Sequence, residues 1–206
     1  MATPSLPLPL LRAPHRLLFF IGAANLLLAM LWWALWLGAL RGLWTPQPPS
    51  LPPAWLHALL MQYLVLPSFI FGFLLTVFPR WMNQPELPRS RYAPVGLGLF
   101  GGQALLIAAA CGWTPGLWPG LLLALAGWSA GLIVLGHVLK AAGPNRNWHA
   151  RACFAALLLG WLGLLAFMAV ACGRATLMPV HVALGTFGLL LPIYLTVAHR
   201  MIPFFA

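Results

Sequence analysis

Charged residues interrupt this chain at only a few places, and the stretches between them are long. Residues 17–40, 42–79, 92–139, 152–173 and 175–199 contain no Asp, Glu, Lys or Arg. About 20 apolar residues carry a helix across the hydrocarbon core of a bilayer. Each stretch therefore accommodates one crossing, and the third is long enough for two. It is broken by GWTPGLWPG (112–120), whose prolines and glycines mark a turn. The pattern predicts an all-α polytopic membrane protein, a single bundle over 1–206 with helices at about 16–40, 54–78, 93–112, 117–140, 149–172 and 177–199. The first run, with LLAMLWWALWL, is too bulky for a cleaved signal and reads as a retained helix. The proline-rich opening MATPSLPLPLLRAP reads as irregular.

The basic residues then orient the bundle. Counting alternate loops, Arg12, Arg16, Arg80, Arg89, Arg91, Lys140, Arg146, Arg151 and Arg200 share one side, and only Arg41 and Arg174 fall on the other. The positive-inside rule makes the richer side cytoplasmic, so both termini are expected there. Trp44, Trp55, Trp113 and Trp118 fall at the opposite interface, where aromatic belts form.

Composition changes the picture in one respect. Hydrophobic residues make up 62% of the chain and charged residues 6%, which leaves no water-compatible surface. The net charge of +10 is spread between apolar blocks, so it reads as topology, and nucleic acid is not an expected partner. The expected partner is the lipid bilayer. The exits LTVFPR (75–80) and LTVAHR (195–200) resemble each other as a weak internal repeat.

Little catalytic chemistry is on offer. Glu86 is the only acidic residue, so no carboxylate pair exists for general acid/base work and no intramembrane acid for proton or cation transport. A small-solute transporter is disfavoured on that ground. No phosphate loop or Ser/His/Asp set is present, and no reaction is assigned.

Histidines remain. His57 and His181 fall in the first turns of the second and sixth helices, near the outer face, while His15, His137, His149 and His199 gather near the inner face. Neutral imidazole is the commonest protein ligand for metals, and helical bundles hold cofactors between facing helices. His57 and His181 read either as a metal-ligating pair, suited to axial ligation of a haem, or as interface residues with one wet end. The four inner histidines lie beside basic residues and read as amphipathic interface residues. Pro67 and Pro192 stand ten and eleven residues inward of His57 and His181, where bends would open room for a planar group. Cys111 and Cys172 could pair in an oxidising compartment, though free thiols at helix ends are the preferred reading. Two small-residue strips, Gly185, Thr186 and Gly188 in the sixth helix and Gly127, Ser129, Ala130 and Gly131 in the fourth, mark faces where other helices approach. One of them is expected to be covered by further helices or another subunit.

The segments PPAWLHALLMQYLVLPSFIFGFLLTVFPRW (52–81) and HVALGTFGLLLPIYLTVAHRMIPFFA (181–206), with the opening RAPHRLLFF, resemble the NnrS family. These are polytopic proteins of the bacterial inner membrane associated with haem, copper and the response to nitric oxide. The resemblance implies His57 and His181 as ligands, haem b as cofactor with copper the second candidate, and a link to nitric oxide or respiratory metabolism. Two departures accompany it. Where the family's second helix has His-Ala-His-Glu-Met, this chain has His57, Ala58, Leu59, Leu60 and Met61, so two potential ligands are missing. The family also implies about twelve helices, which would make this layout its first half, with HRMIPFF as the hinge to the second. The missing ligands favour the alternative expectation, an accessory structural subunit of a respiratory membrane complex without its own cofactor.

Overall fold

The computed structural model describes residues 9–143 and 147–205. Within them lie six helices long and apolar enough to cross a membrane: α1 (Pro14–Leu40), α2 (Pro53–Trp81), α3 (Arg89–Ala110), α4 (Thr114–Ala141), α5 (Trp148–Ala171) and α6 (Ala175–Ile202). Hydrocarbon offers no water to pair with backbone N–H and C=O groups, so a crossing segment must satisfy them internally, as a helix does. At 1.5 Å per residue, 22 to 29 residues span roughly 33 to 44 Å, enough for a core of about 30 Å. The ends differ from the expected ones by at most four residues.

Every connection carries the chain back antiparallel. The six helices thus share a basic end, where α1 starts and α2 finishes, and an opposite, far end. The first five helices stop by one device. After the last helical residue and a bridging one comes a residue in the left-handed region, which is Gly112 (φ 104°) after α3 and Asn83 (φ 56°) after α2. After α1, α2, α3 and α5 the next amide then reaches five residues back, as Trp113 N–H does to the Ala108 carbonyl, closing the cap at 3.0 Å. Of the proline-rich opening, residues 9–12 form one 3-10 turn rather than irregular chain; residues 1–8 and Arg146 lie outside the described residues.

α2 is the central helix. It packs against α1, α3, α4 and α6 and meets α5 where Tyr63 lies over Gly163. Of its apolar window 61% is buried, against 33% for α1 and for α6, which makes those two the outer helices. The largest sealed side chains include Trp128, Tyr63, Tyr92, Phe71, Phe78 and Phe167. α3 and α4 approach most closely because Gly98 faces Gly127 backbone to backbone; a Cβ on Gly102 would stand 2.9 Å from the Ala124 nitrogen. Small residues allow such contact where lipid supplies no hydrophobic driving force.

The small-residue strips are used inside the bundle. Gly127 meets Gly98 of α3, Gly131 meets the Phe71 ring of α2, and Ser129 accepts a hydrogen bond from the Trp161 indole at 3.0 Å. On α6, Gly185 meets Gln62 of α2 and Gly188 meets Leu159 of α5. The sequence marked these strips as faces where helices approach, and the contacts named here are approaches made within the bundle. What α6 turns outward is bulky: Phe187, Leu191, Tyr194, Leu195 and Ile202.

Candidate functional site

α2 and α6 depart from regular α-helix at matching places. α2 has a π-helical segment over Met61–Val65, and α6 has one over Leu184–Leu190. In each the closing amide reaches five residues back, Leu66 to Met61 and Leu191 to Thr186, and in each the next residue is proline, Pro67 or Pro192. Proline has no N–H to give to the carbonyl four residues earlier. For Pro67 that carbonyl belongs to Tyr63, and the Trp128 indole of α4 supplies the missing donor at 2.8 Å. π segments recur at functional sites in helices, and here each lies three or four residues beyond a histidine.

His181 is fully buried. Its Nδ1 lies 2.9 Å from the Gly163 carbonyl of α5, and a carbonyl only accepts, so Nδ1 carries the proton. The ring is stacked on Tyr63 (centroids 4.3 Å apart, planes 22° apart) with Phe167 at 4.8 Å. The Tyr63 hydroxyl donates to the His181 carbonyl at 2.6 Å, and the Gln62 amide donates to the Thr186 hydroxyl at 2.9 Å. Glycine is required at 163, because a Cβ there would collide with the Tyr63 hydroxyl. Two acceptors in this cluster have no partner among the described residues: His181 Nε2 and Gln62 Oε1.

His57 sits elsewhere. It is half-buried and stacked on Trp33 of α1, with centroids 4.3 Å and planes 21° apart, and its buried Nδ1 has no partner among the described residues. The two histidines are near the same end of the bundle but have different aromatic neighbours, on different helices. Leu59 and Leu60, which replace the family's second histidine and glutamate, are fully buried in the core. The helices do part near their prolines, but on the basic-end side. The resulting trough of about 520 Å³ is lined by apolar residues such as Phe69, Phe73, Ile193 and Val197, away from both histidines.

Of the other histidines, His15 is 3.4 Å from the Thr76 hydroxyl and His137 is exposed. His149 and His199 come together, Nε2 to Nδ1 at 3.2 Å, with Trp148 stacked on His149 and Arg200 at 3.5 Å from its Nδ1. Cys111 and Cys172 are exposed free thiols and Cys153 is buried. Among the described residues no three His, Cys, Asp or Glu side chains gather to hold a metal.

A second buried polar cluster has no counterpart in the reading of the sequence. Asn25 of α1 donates to the Ser68 hydroxyl and to the Leu99 carbonyl, each at 3.4 Å, and Gln103 of α3 donates to the Asn25 carbonyl. All three side chains are fully buried. The signal was available: Asn25 and Gln103 are uncharged amides in the middle of apolar runs, where a polar side chain must find a partner on another helix.

No curated protein and no solved structure matches the chain. The family model described as NnrS protein matches residues 9–206, nearly all of it, and the chain belongs to the NnrS family.

Proposed function

We propose that this NnrS-family protein binds haem b through His181 and serves nitric oxide response or respiratory metabolism in the bacterial inner membrane, with its basic end cytoplasmic. One observation carries the reading. His181 holds its Nδ1 proton against the Gly163 carbonyl and keeps Nε2 unpaired in a dry aromatic setting. A backbone carbonyl that accepts from one ring nitrogen and so fixes the tautomer is how ligating histidines are commonly prepared. These residues fit one imidazole ligand; His57, with its own unpaired Nδ1, is the second candidate, on the α1 side of α2. Copper is the other occupant this chemistry admits. When bound, a haem supplies an iron that changes oxidation state and takes up diatomic gases. The protein's part is to orient the imidazole and to keep water out with Tyr63, Phe167 and Trp128.

The test is the optical spectrum of the purified full chain. A Soret band is expected, lost in His181→Ala and retained at reduced intensity or shifted in His57→Ala. A colourless wild-type protein loaded with haem during expression would end the reading. The second reading, an accessory subunit without a cofactor, rests on Leu59 and Leu60, which put core packing where the family has potential ligands. It predicts stable co-purification with other membrane subunits and no spectrum. Reporter fusions in the 112–120 loop and after residue 200 should report opposite sides, and a non-cytoplasmic signal after residue 200 would refute the orientation.

A further inference from the structure

The trough between α2 and α6 has a mouth of different chemistry from its walls. The walls are apolar and open sideways, since Phe19 of α1 is 41% and Tyr194 of α6 69% exposed. At the basic end the Arg200 guanidinium lies 4.4 Å over the Trp81 ring, and Trp81 packs edge-on against the wall residue Phe73 at 6.2 Å. Across the mouth the His15 ring packs edge-on against Phe19, also at 6.2 Å. Among the described residues no carboxylate side chain pairs with Arg200. The only acid in the chain, Glu86, is 3.2 Å from Arg80. Among the described residues the hydrogen-bond partner of Arg200 is a ring nitrogen of His149, at 3.5 Å.

We propose that this trough binds one anionic phospholipid, with an acyl chain against the α2 and α6 walls and the phosphate at Arg200. The walls match an acyl chain in chemistry, and the void has the size of ordinary ligand sites, about 300–1,000 Å³. A guanidinium presents a planar fork of donors that fits phosphate oxygens. Basic pockets between membrane helices bind anionic headgroups for the same reason. A second copy of this chain, or another apolar helix, would fill the trough but leave the charge of Arg200 uncompensated.

Native mass spectrometry of the full chain in detergent tests the assignment, with phosphatidylglycerol and phosphatidylcholine of identical acyl chains and with glycerol phosphate. One phosphatidylglycerol should bind at least about fivefold more tightly than phosphatidylcholine, the effect of about one basic residue near an anionic group. Arg200→Gln should abolish that preference, Arg200→Lys should keep part of it, and Arg41→Gln at the far end should leave it intact. Ile193→Trp, which fills the trough, should weaken both lipids. The site is overturned if the two lipids bind equally, or if folded Arg200→Gln keeps the preference. It is equally overturned if glycerol phosphate binds as tightly as the lipid, or if the chain is a dimer that Ile193→Trp dissociates.

Discussion

α2 and α6 carry the same succession of features but hold their histidines in different surroundings. Each carries a histidine near the far end, then a π segment, then a proline, and finally an arginine at the basic end. Yet His181 is sealed and hydrogen-bonded while His57 is half-buried against Trp33. The difference comes from position in the bundle. α2 is central, and its Tyr63, one turn and a half past His57, turns to α5 and α6, leaving His57 to face α1. α6 is peripheral, so its inward face packs chiefly on α5 with α2 beside it, and His181 is on that face. The same local device therefore yields an accessible imidazole on one helix and a closed one on the other. The LTV matches do not share this register: Leu75 is eight residues after Pro67, but Leu195 only three after Pro192. The likeness is one of local device rather than of whole helices.

The comparison is broken most severely at the α5 contact. Gly163→Ala places a methyl on the Tyr63 hydroxyl and should cost about 1–3 kcal/mol by overpacking. Gly188→Ala meets the Leu159 Cβ at 3.2 Å and should cost less than about 1 kcal/mol. Equal thermal shifts in detergent would show that the α5 side of α6 is not discriminating. Next comes Trp128→Phe, which leaves the Tyr63 carbonyl freed by Pro67 without its donor and should cost about 1–3 kcal/mol. Trp33→Phe keeps an aromatic face on His57 and should cost no more than about 0.5 kcal/mol. Chemical denaturation of the two variants side by side checks this. Tyr63→Phe should cost about 0.6 kcal/mol, and at most about 1.7, the range for hydrogen bonds between membrane helices. A larger loss would mean that the hydroxyl supports more than the His181 carbonyl. The mildest probe alters no residue. Diethyl pyrocarbonate, read by peptide mass, should modify His57 before His181, and equal labelling of the native protein would remove the distinction.

Much of this protein was legible in its sequence. The six helices, their alternation and their approximate ends follow from the spacing of charges, because a bilayer penalises every charged residue and every unpaired backbone group that enters it. His57 and His181 were recognisable as the histidines nearest the far end, and the segments that carry the family resemblance lie within the matched residues 9–206. The side on which each histidine looks was not legible. A π segment changes the helical phase between the histidine before it and the rest of the helix after it, and periodicity counted at 3.6 residues per turn does not detect the shift. Nor did the small-residue strips reveal their partners, since Gly127 and Gly185 record that something comes close without recording what.

The sequence by itself determined that this chain forms six helices long and apolar enough to cross a membrane and which end is basic, because those depend on each segment's own transfer from water to lipid. Only the tertiary structure decided that α2 is the centre and that Tyr63 faces His181. It also decided that Trp128 serves the carbonyl Pro67 leaves open, and that Arg200 stands at the mouth of an apolar trough. Those outcomes depend on which helices are neighbours. In lipid that choice is made by close packing and by pairing of buried polar groups, and both are properties of two surfaces together.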